Sequence, residues 1–256
     1  MTTHTSFFDY GFSAGALTDI GLKRKSNQDE VIVCPKIGFY AVSDGMGGLA
    51  NGGGTSKLIR QLLPNMVKEI SSKVKKEPSL EYAAVLLAGQ IRVLSDTIYK
   101  YGNKGDDFDF GATLSGVWLV GNRALFVNIG DSRGYLLPHT QETIHQVTKD
   151  HNMAAEYVQK GIITKEEARH HPASSVLTDF VGMEPPAMPD VFTEEIGPGD
   201  QILLCSDGLH GMMDDAVFPS LMQSSEDPVQ VCEMLAKKAN ALGGKDNIAV
   251  VYIKIE

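Results

Sequence analysis

The sequence has little cysteine, and its three cysteines lie far apart. Cys34, Cys205 and Cys232 form no C-x-x-C pair, so neither a disulfide framework nor a zinc knuckle is expected. This usage is typical of a reducing compartment and predicts a cytoplasmic protein. No run of about 18 consecutive apolar residues is present, so no membrane span is expected. Residues 1–19 lack a basic start followed by an apolar core, and we therefore expect no signal peptide.

Long basic runs are also lacking. The chain carries 23 Lys and Arg against 32 Asp and Glu, a formal net charge of −9, which argues against nucleic acid or an anionic membrane as partner. No internal repeat or low-complexity linker divides the 256 residues. We therefore predict a single domain over residues 1–256, with a monomer as the default state.

Runs rich in β-branched and aromatic residues predict short strands between turn signals. Gly121-Asn122-Arg123 is a hairpin signal between two of these runs. Residues 151–190 mix short helical pieces with Pro-rich turns and predict an irregular surface segment. The strands are predicted within residues 30–34, 37–43, 111–120, 124–130, 133–138, 143–148, 200–206 and 247–255.

Apolar residues at helical spacing predict three amphipathic helices. The first covers residues 58–70, and Pro64 is expected to kink or divide it. The second covers residues 80–98, and the third covers about 228–242, with Asp227 as its N-cap. Strands joined by short turns, with helices in separate blocks, indicate an α+β sandwich.

Five aspartates stand in turns at or next to the predicted strands. Asp29 lies in SNQDE, Asp44 in VSDGMGG, Asp131 in NIGDSRG, Asp207 in LLCSDG and Asp246 in GGKDN. Any one of these predicts only a turn. Two carboxylates about 4 Å apart repel by roughly 4 kcal/mol at an effective dielectric near 20. If the sheets bring these turns together, something cationic must compensate.

The types of residue in these turns favour one kind of cation. Oxygen ligands without His or Cys select Mg²⁺ or Mn²⁺ over zinc. Gly45, directly after Asp44, has no Cβ and would let its backbone carbonyl approach the same ion. We therefore interpret the glycine-rich stretch VSDGMGGLANGGGTS as a segment whose main chain can be approached closely by metal and phosphate.

The motifs RKSNQDE, SDGMGG, GATL, GDSRGYL, TKDH, LLCSDGL and GGKDNIAVV occur in this order between Asp19 and Ile253. This ordered series resembles the metal-dependent serine/threonine protein phosphatases (PPM, or type 2C) of the bacterial branch. The resemblance implies a central β-sandwich of two antiparallel sheets, flanked by helix pairs in four α-β-β-α layers. It also implies a two-metal site at one edge of the sandwich, using Mn²⁺ or Mg²⁺.

The resemblance assigns roles to residues that match the family motifs. Asp44 would bridge both metals and the Gly45 carbonyl would bind one of them, with Asp29 helping through its waters. Asp207 and Asp246 would hold the other metal, and Asp131 with Asp207 would bind a third, looser ion. Arg24 would clamp the substrate phosphate, to which a guanidinium fork is suited. Asn247 is expected to tune the Asp246 turn.

Three departures from the family pattern are visible. Gln28 stands at a position that is often acidic in the family, and Met46 stands where animal members often have a proposed general-acid histidine. The general acid is therefore unassigned, and a metal-bound water is a candidate. The segment SSVLTDFVG before Gly182 lacks an arginine expected from bacterial relatives, which leaves the behaviour of the flap, residues 151–190, open.

The implied activity is hydrolysis of phosphoserine and phosphothreonine on proteins by a metal-activated water, opposing a Ser/Thr kinase. The alternative is a catalytically inactive pseudophosphatase that binds phosphoproteins as a scaffold, although no core aspartate is missing. A cysteine-nucleophile phosphatase is excluded, because that class needs an arginine six positions after its cysteine. The residues six positions after the three cysteines are Tyr40, Gly211 and Lys238. Trp118 and Cys205 are interpreted as core residues, and His170-His171 as a solvated pair; His151 could lie near the cleft.

Overall fold

The computed structural model describes residues 9–47, 52–75, 79–102 and 111–256. Within these ranges the chain forms eleven strands, most of them in the predicted runs. The strands are β1 (Phe12–Asp19), β2 (Asp29–Cys34), β3 (Phe39–Met46), β4 (Gly111–Ala112), β5 (Leu114–Val120), β6 (Arg123–Ile129), β7 (Arg133–Leu137), β8 (His145–Gln146), β9 (Asp190–Glu195), β10 (Gln201–Cys205) and β11 (Ile248–Ile255).

Seven α-helices lie in the same described ranges. Short 3₁₀ turns supplement them at residues 35–37, 172–175 and 215–217. None of the helices described is both long enough and apolar enough to cross a bilayer. The helices are α1 (Gly52–Val74), α2 (Leu80–Gly102), α3 (Met153–Gln159), α4 (Lys165–Ala168), α5 (Asp207–His210), α6 (Phe218–Met222) and α7 (Pro228–Ala241).

The strands form two antiparallel sheets, as predicted. One sheet has the order β1-β11-β10-β7-β8, and the other has the order β2-β3-β5-β6-β9 with β4 paired to β3. Apolar side chains from both sheets, including Tyr40, Phe126 and Val251, pack between them. Burial of this shared face, at about 25 cal/mol per Å² of apolar surface, stabilises the sandwich.

Helices cover the outer face of each sheet and complete four layers. Leu63 of α1 and Leu87 of α2 pack with Trp118 on the outer face of the β2–β3–β5–β6 sheet. On the other side, Leu235 of α7 packs with Tyr252 of β11. The α-β-β-α arrangement expected from the resemblance is therefore confirmed.

Strand β9 and the short helices α5 and α6 were not predicted, and the structure differs from the predicted elements at three further places. Helix α1 is continuous through Pro64, because Ile59, Leu63, Val67 and Ile70 remain fully buried along one stripe on both sides of it. The predicted division at Pro64 is wrong, since packing of this stripe outweighs the lost backbone hydrogen bond. The predicted strand over residues 143–148 is reduced to the two residues of β8.

The third difference is β1, which the sequence did not predict. Its segment FSAGALTD is rich in small residues with low strand propensity. Its position is set by pairing with β11 along all eight residues and by close packing of α7. A Cβ on Gly15 would lie 2.2 Å from the carbonyl oxygen of Pro228, so this contact requires glycine.

Candidate active site

Asp29 and Asp44 lie opposite each other on the β2–β3 ladder. They are cross-strand partners in this antiparallel pair, so their side chains share one face. Asp44 is fixed by Thr113, whose N–H donates to the Asp44 carbonyl at 2.9 Å. The Asp44 N–H in turn donates to Thr113 Oγ1 at 3.0 Å. The strand register therefore brings two carboxyl groups together at one end of the sheet.

Asp207 reaches the same edge from the other sheet. Strand β10 ends at Cys205, and Asp207 is the first residue of α5. A Cβ on the next residue, Gly208, would lie only 1.8 Å from the carbonyl oxygen of Asn247. Only glycine permits this approach, which packs the start of α5 against the turn that carries Asp246.

Asn247 ties the Asp246 turn to the loop over residues 20–28. Its Nδ2 donates to the carbonyl oxygens of Ile20 at 2.9 Å and Ser26 at 3.0 Å. Its Oδ1 accepts from the backbone N–H of Gln28 at 2.9 Å. The Asn247 N–H donates to Asp246 Oδ1 at 2.8 Å. Asn247 therefore does more than shape its own turn, because it fixes the loop that carries Arg24 beside Asp246.

Arg24 forms an ion pair at the edge of the carboxylate group. Its Nη2 lies 2.5 Å from Asp246 Oδ2, and half of its side chain is exposed to solvent. The hydrogen bond to Asp246 raises the pKa of Arg24, and attraction to Asp44 and Asp207 adds to the effect. The guanidinium is thus held on the solvent side of these aspartates.

Asp131 lies in the turn between β6 and β7. Its backbone carbonyl is 3.0 Å from Nε2 of His210, at the end of α5. Since a carbonyl oxygen only accepts, this Nε2 must carry the proton. Burial lowers the pKa of His210 to about 3, so the ring is neutral. The contact links the Asp131 turn to the helix that begins with Asp207.

Mutual repulsion and burial raise the pKa of four carboxyl groups at this edge. Burial, with repulsion from Asp207, raises the pKa of Asp29 to about 7, although a hydrogen bond from Ser206 opposes the shift. Burial and repulsion from Asp246 raise the pKa of Asp207 to about 6. Burial, then repulsion from Asp29 and Asp207, raises the pKa of Asp44 well above its ordinary value. Burial and repulsion from Asp207 do the same for Asp131.

The donor set fits hard divalent cations. Asp29 Oδ1 and Asp207 Oδ1 are buried and accept no hydrogen bond from any described residue. Buried carboxylate oxygens without donors are costly unless a cation meets them. Among the residues described, no three His, Cys, Asp or Glu side chains have the spacing of a complete metal site. The aspartates are thus close enough to repel one another, without being drawn around a common centre.

A contact between Ser206 and Asp29 has no signal in the sequence. Ser206 Oγ accepts from the Ala249 N–H at 2.8 Å and lies 2.6 Å from Asp29 Oδ2. The hydroxyl proton must therefore point at Asp29. The motif LLCSDGL shows a serine before Asp207, but no spacing in the sequence relates it to a partner 177 positions away.

A second group of buried charges, which we call the paired cluster, was also missed. Its centre is Arg133, which donates from Nε to Asp150 Oδ1 at 2.9 Å and from Nη2 to Asp150 Oδ2 at 2.7 Å. Gln146 Nε2 also donates to Asp150 at 2.8 Å. Arg133 further donates to the Tyr135 hydroxyl at 3.1 Å, and that hydroxyl donates to Asp215 at 3.3 Å.

The residues predicted to lie outside the chemistry behave largely as expected. Trp118 and Cys205 are fully buried in the core. His170 is exposed, and His171 Nδ1 accepts from the Ala173 N–H at 3.1 Å, so the ring caps a turn. His151 Nδ1 accepts from the Gly130 N–H at 3.4 Å, which places this histidine against the turn before Asp131. Residues 48–51 of the glycine-rich stretch lie outside the described residues.

Comparison with known proteins identifies similar sequences over most of the chain. The sequence profile of the protein phosphatase 2C family matches residues 23–242. The chain is 31% identical over 241 residues to the serine/threonine phosphatase stp of Listeria innocua serovar 6a. That alignment covers 93% of this chain and 93% of the relative.

Solved structures show the same fold. The serine/threonine phosphatase of S. agalactiae superposes with a TM-score of 0.82 at 29% identity, covering 96% of this chain and 100% of that one. The catalytic domain of the serine/threonine protein phosphatase PstP, in complex with two manganese ions, superposes with a TM-score of 0.76 at 28% identity. It covers 95% of this chain and 98% of that one.

Proposed function

Since this chain belongs to the protein phosphatase 2C family and is a protein serine/threonine phosphatase, we propose that it works with divalent cations held by Asp29, Asp44, Asp207 and Asp246. The observation that carries this proposal is the gathering of carboxyl groups from both sheets at one edge, with raised pKa values and buried oxygens that lack donors. Phosphorylated proteins are its substrates.

The ligand roles follow from the chemistry of the positions. Asp44 is repelled by both Asp29 and Asp207, because it lies close to the two. It would therefore bridge two ions, with the Gly45 carbonyl as a further oxygen ligand. Asp207 and Asp246 would hold the second ion, and Asp131 would join Asp207 at a third. When bound, Mn²⁺ or Mg²⁺ would supply the positive charge that lowers the pKa of water and offsets charge on the phosphoryl group.

Arg24 is proposed to bind the phosphate of the substrate. Its ion pair with Asp246 is partly exposed, and such pairs contribute only about 0–1 kcal/mol. The guanidinium can therefore exchange Asp246 for phosphate oxygens at little cost, with a fork that suits two of them. His210 does not replace the general-acid histidine that is absent at Met46, because its ring is neutral and its Nε2 proton is donated to the Asp131 carbonyl.

The finer assignments are also proposals. We propose one catalytic domain over residues 1–256, in which residues 151–190 act as a flap beside the cleft. A monomer that opposes a Ser/Thr kinase is the simplest arrangement. Three free cysteines, two of them buried, support a cytoplasmic location.

The test is turnover of a phosphothreonine peptide and of p-nitrophenyl phosphate, with and without a chelator. Mn²⁺ or Mg²⁺ should restore activity after chelation, and Asp207→Asn should abolish it with both substrates. A pseudophosphatase would instead bind the phosphopeptide without releasing phosphate. Failure to release phosphate with every divalent cation tried would contradict the proposed function.

A further inference from the structure

We call the edge of the sandwich where Asp29, Asp44, Asp131, Asp207 and Asp246 lie the carboxylate edge. A cluster of positive side chains, which we call the basic rim, borders it. It consists of Lys23, Arg24, Lys25 and Lys245, all of them exposed. The two loops that carry these residues are joined by the Leu22 N–H, which donates to the Gly244 carbonyl at 2.8 Å. The hydrogen bonds of Asn247 join the same loops. The four residues therefore lie on two adjoining loops, and one of them, Arg24, meets Asp246.

The basic rim is positively charged, whereas the chain as a whole is negatively charged. The formal net charge is −9, yet within the part of the chain that the structure describes the rim pairs with a single acidic side chain, Asp246, which meets Arg24. Among the described residues, Lys23, Lys25 and Lys245 form no ion pair. Three lysine charges are thus open to an anionic partner at the entrance to the proposed phosphate site.

Apolar side chains accompany these cations. Leu22 is 64% exposed, Leu242 is 46% exposed and Ile20 is 41% exposed. A phosphorylated metabolite would use the charges alone, whereas a polypeptide also brings apolar side chains and the stems of long polar ones. The mixture of cations and apolar groups therefore fits a segment of protein chain.

We propose that the basic rim selects phosphorylated segments in which acidic residues flank the phosphorylated residue. The inference rests on the proposed function, in that the phosphate is bound at Arg24. With the phosphate there, the residues on either side of it pass over Lys23, Lys25 and Lys245. Attraction between the lysines and acidic residues of the segment would both steer the segment toward the site and hold it there.

The experiment compares three phosphothreonine peptides that differ only in flanking residues: glutamate, glutamine or lysine. Lys23→Glu/Lys245→Glu reverses two charges of the rim and leaves Arg24 and every proposed metal ligand intact. Lys68→Glu/Lys100→Glu makes the same change in net charge at exposed positions on α1 and α2 and is the matched control. Turnover is measured with Mn²⁺, and binding of the labelled peptides is measured by fluorescence anisotropy.

The wild-type protein should prefer the glutamate peptide, and the rim variant should lower kcat/KM for it about tenfold. The glutamine peptide should change less than twofold, and p-nitrophenyl phosphate, which has no flanking residues, should change no more than the glutamine peptide does. Salt at about 0.5 M should remove most of the preference. Equal use of the three peptides by the wild-type protein, or equal losses in the rim and control variants, would overturn the proposal.

The two possible failures are distinguishable. Absence of turnover of p-nitrophenyl phosphate by the wild-type protein would count against the proposed function. The anisotropy measurement would still test the rim, because it needs no turnover. Lack of a binding preference for the glutamate peptide, in a protein that does hydrolyse p-nitrophenyl phosphate, would count against the rim alone.

Discussion

The carboxylate edge and the paired cluster both bury aspartates, but they satisfy them differently. In the paired cluster, burial alone would raise the pKa of Asp150, yet Arg133 outweighs it and the pKa is lowered. At the carboxylate edge, burial and neighbouring carboxylates raise the pKa of Asp44 well above its ordinary value. The chain itself provides the counter-charge at one place and leaves it to be supplied from outside at the other.

This difference separates buried charges that stabilise the fold from buried charges that serve cation binding. A buried carboxylate with its own arginine contributes to a fixed structure, and losing either partner leaves an uncompensated charge. Buried carboxylates without a partner destabilise the fold until a cation arrives, and the same free energy then favours cation binding. We expect the two regions to respond in opposite directions to loss of charge.

The largest effect is expected from Asp44→Asn at the carboxylate edge. Activity should fall by at least about 10³-fold, because the group proposed to bridge two cations is lost. In chelator, the same variant should be more stable than the wild-type protein by on the order of 1 kcal/mol, since repulsion is relieved. Phosphate release and thermal unfolding measure the two effects, and lower stability in chelator would contradict the comparison.

Asp150→Asn should behave in the opposite way. Removing this carboxylate leaves buried Arg133 with the longer 3.9 Å contact to Asp215 as its remaining ion pair, so the free energy of unfolding should fall by about 3 kcal/mol with or without a divalent cation. Chemical denaturation measures the loss. Asp214→Asn is the matched control, because that ion pair with Arg169 lies at an exposed aspartate and should contribute less than about 1 kcal/mol.

Ser206→Ala tests a single contact at the carboxylate edge, the hydrogen bond to Asp29. Without the hydroxyl, Asp29 loses the hydrogen bond that orients its carboxylate, and the concentration of Mn²⁺ needed for half-maximal activity should rise about tenfold. Calorimetric titration of Mn²⁺ without substrate provides a second measurement. Ser115→Ala is the control, because Ser115 Oγ is buried without a hydrogen-bond partner among the described residues. Equal effects of the two variants would contradict an orienting role.

The smallest effect is a dependence on pH of the chelated protein. Between pH 6.5 and 8, Asp29, with a pKa of about 7, loses its proton in the folded state, whereas the unfolded carboxyl is already ionised. The folded state thus binds more protons, and stability should fall by about 1 kcal/mol as pH rises.

His210 does not oppose this trend, because its pKa of about 3 keeps it neutral in the folded state across this window. Its stabilising contribution is lost only as the pH falls below about 6.5, where the unfolded histidine takes up a proton. Denaturation at both ends of the pH 6.5–8 window measures the slope. Mn²⁺ should reverse it, since binding needs the deprotonated carboxylates. A flat profile in chelator would contradict the raised pKa of Asp29.

The sandwich and the acidic turns could be predicted because they depend on local signals. Runs of β-branched and aromatic residues, with the turn residues between them, mark β5 and β6. An aspartate close to an apolar run indicates a turn beside a strand. Strand β1 could not be predicted, because its small residues carry no strand signal and its pairing with β11 is long-range. The ion pair of Arg24 with Asp246 is equally invisible, because it joins residues 222 positions apart through loops.

The hydrogen bonds of Asn247 have a consequence for the timing of activity during synthesis on the ribosome. They join Gln28 to a residue 219 positions later, so the loop that carries Arg24 lacks these hydrogen bonds until Asn247 has been synthesised. At about 5–20 residues per second, that interval lasts roughly 10–45 s. We therefore expect a nascent chain to be inactive toward phosphoproteins throughout this time, and a product truncated before Asp246 to stay so.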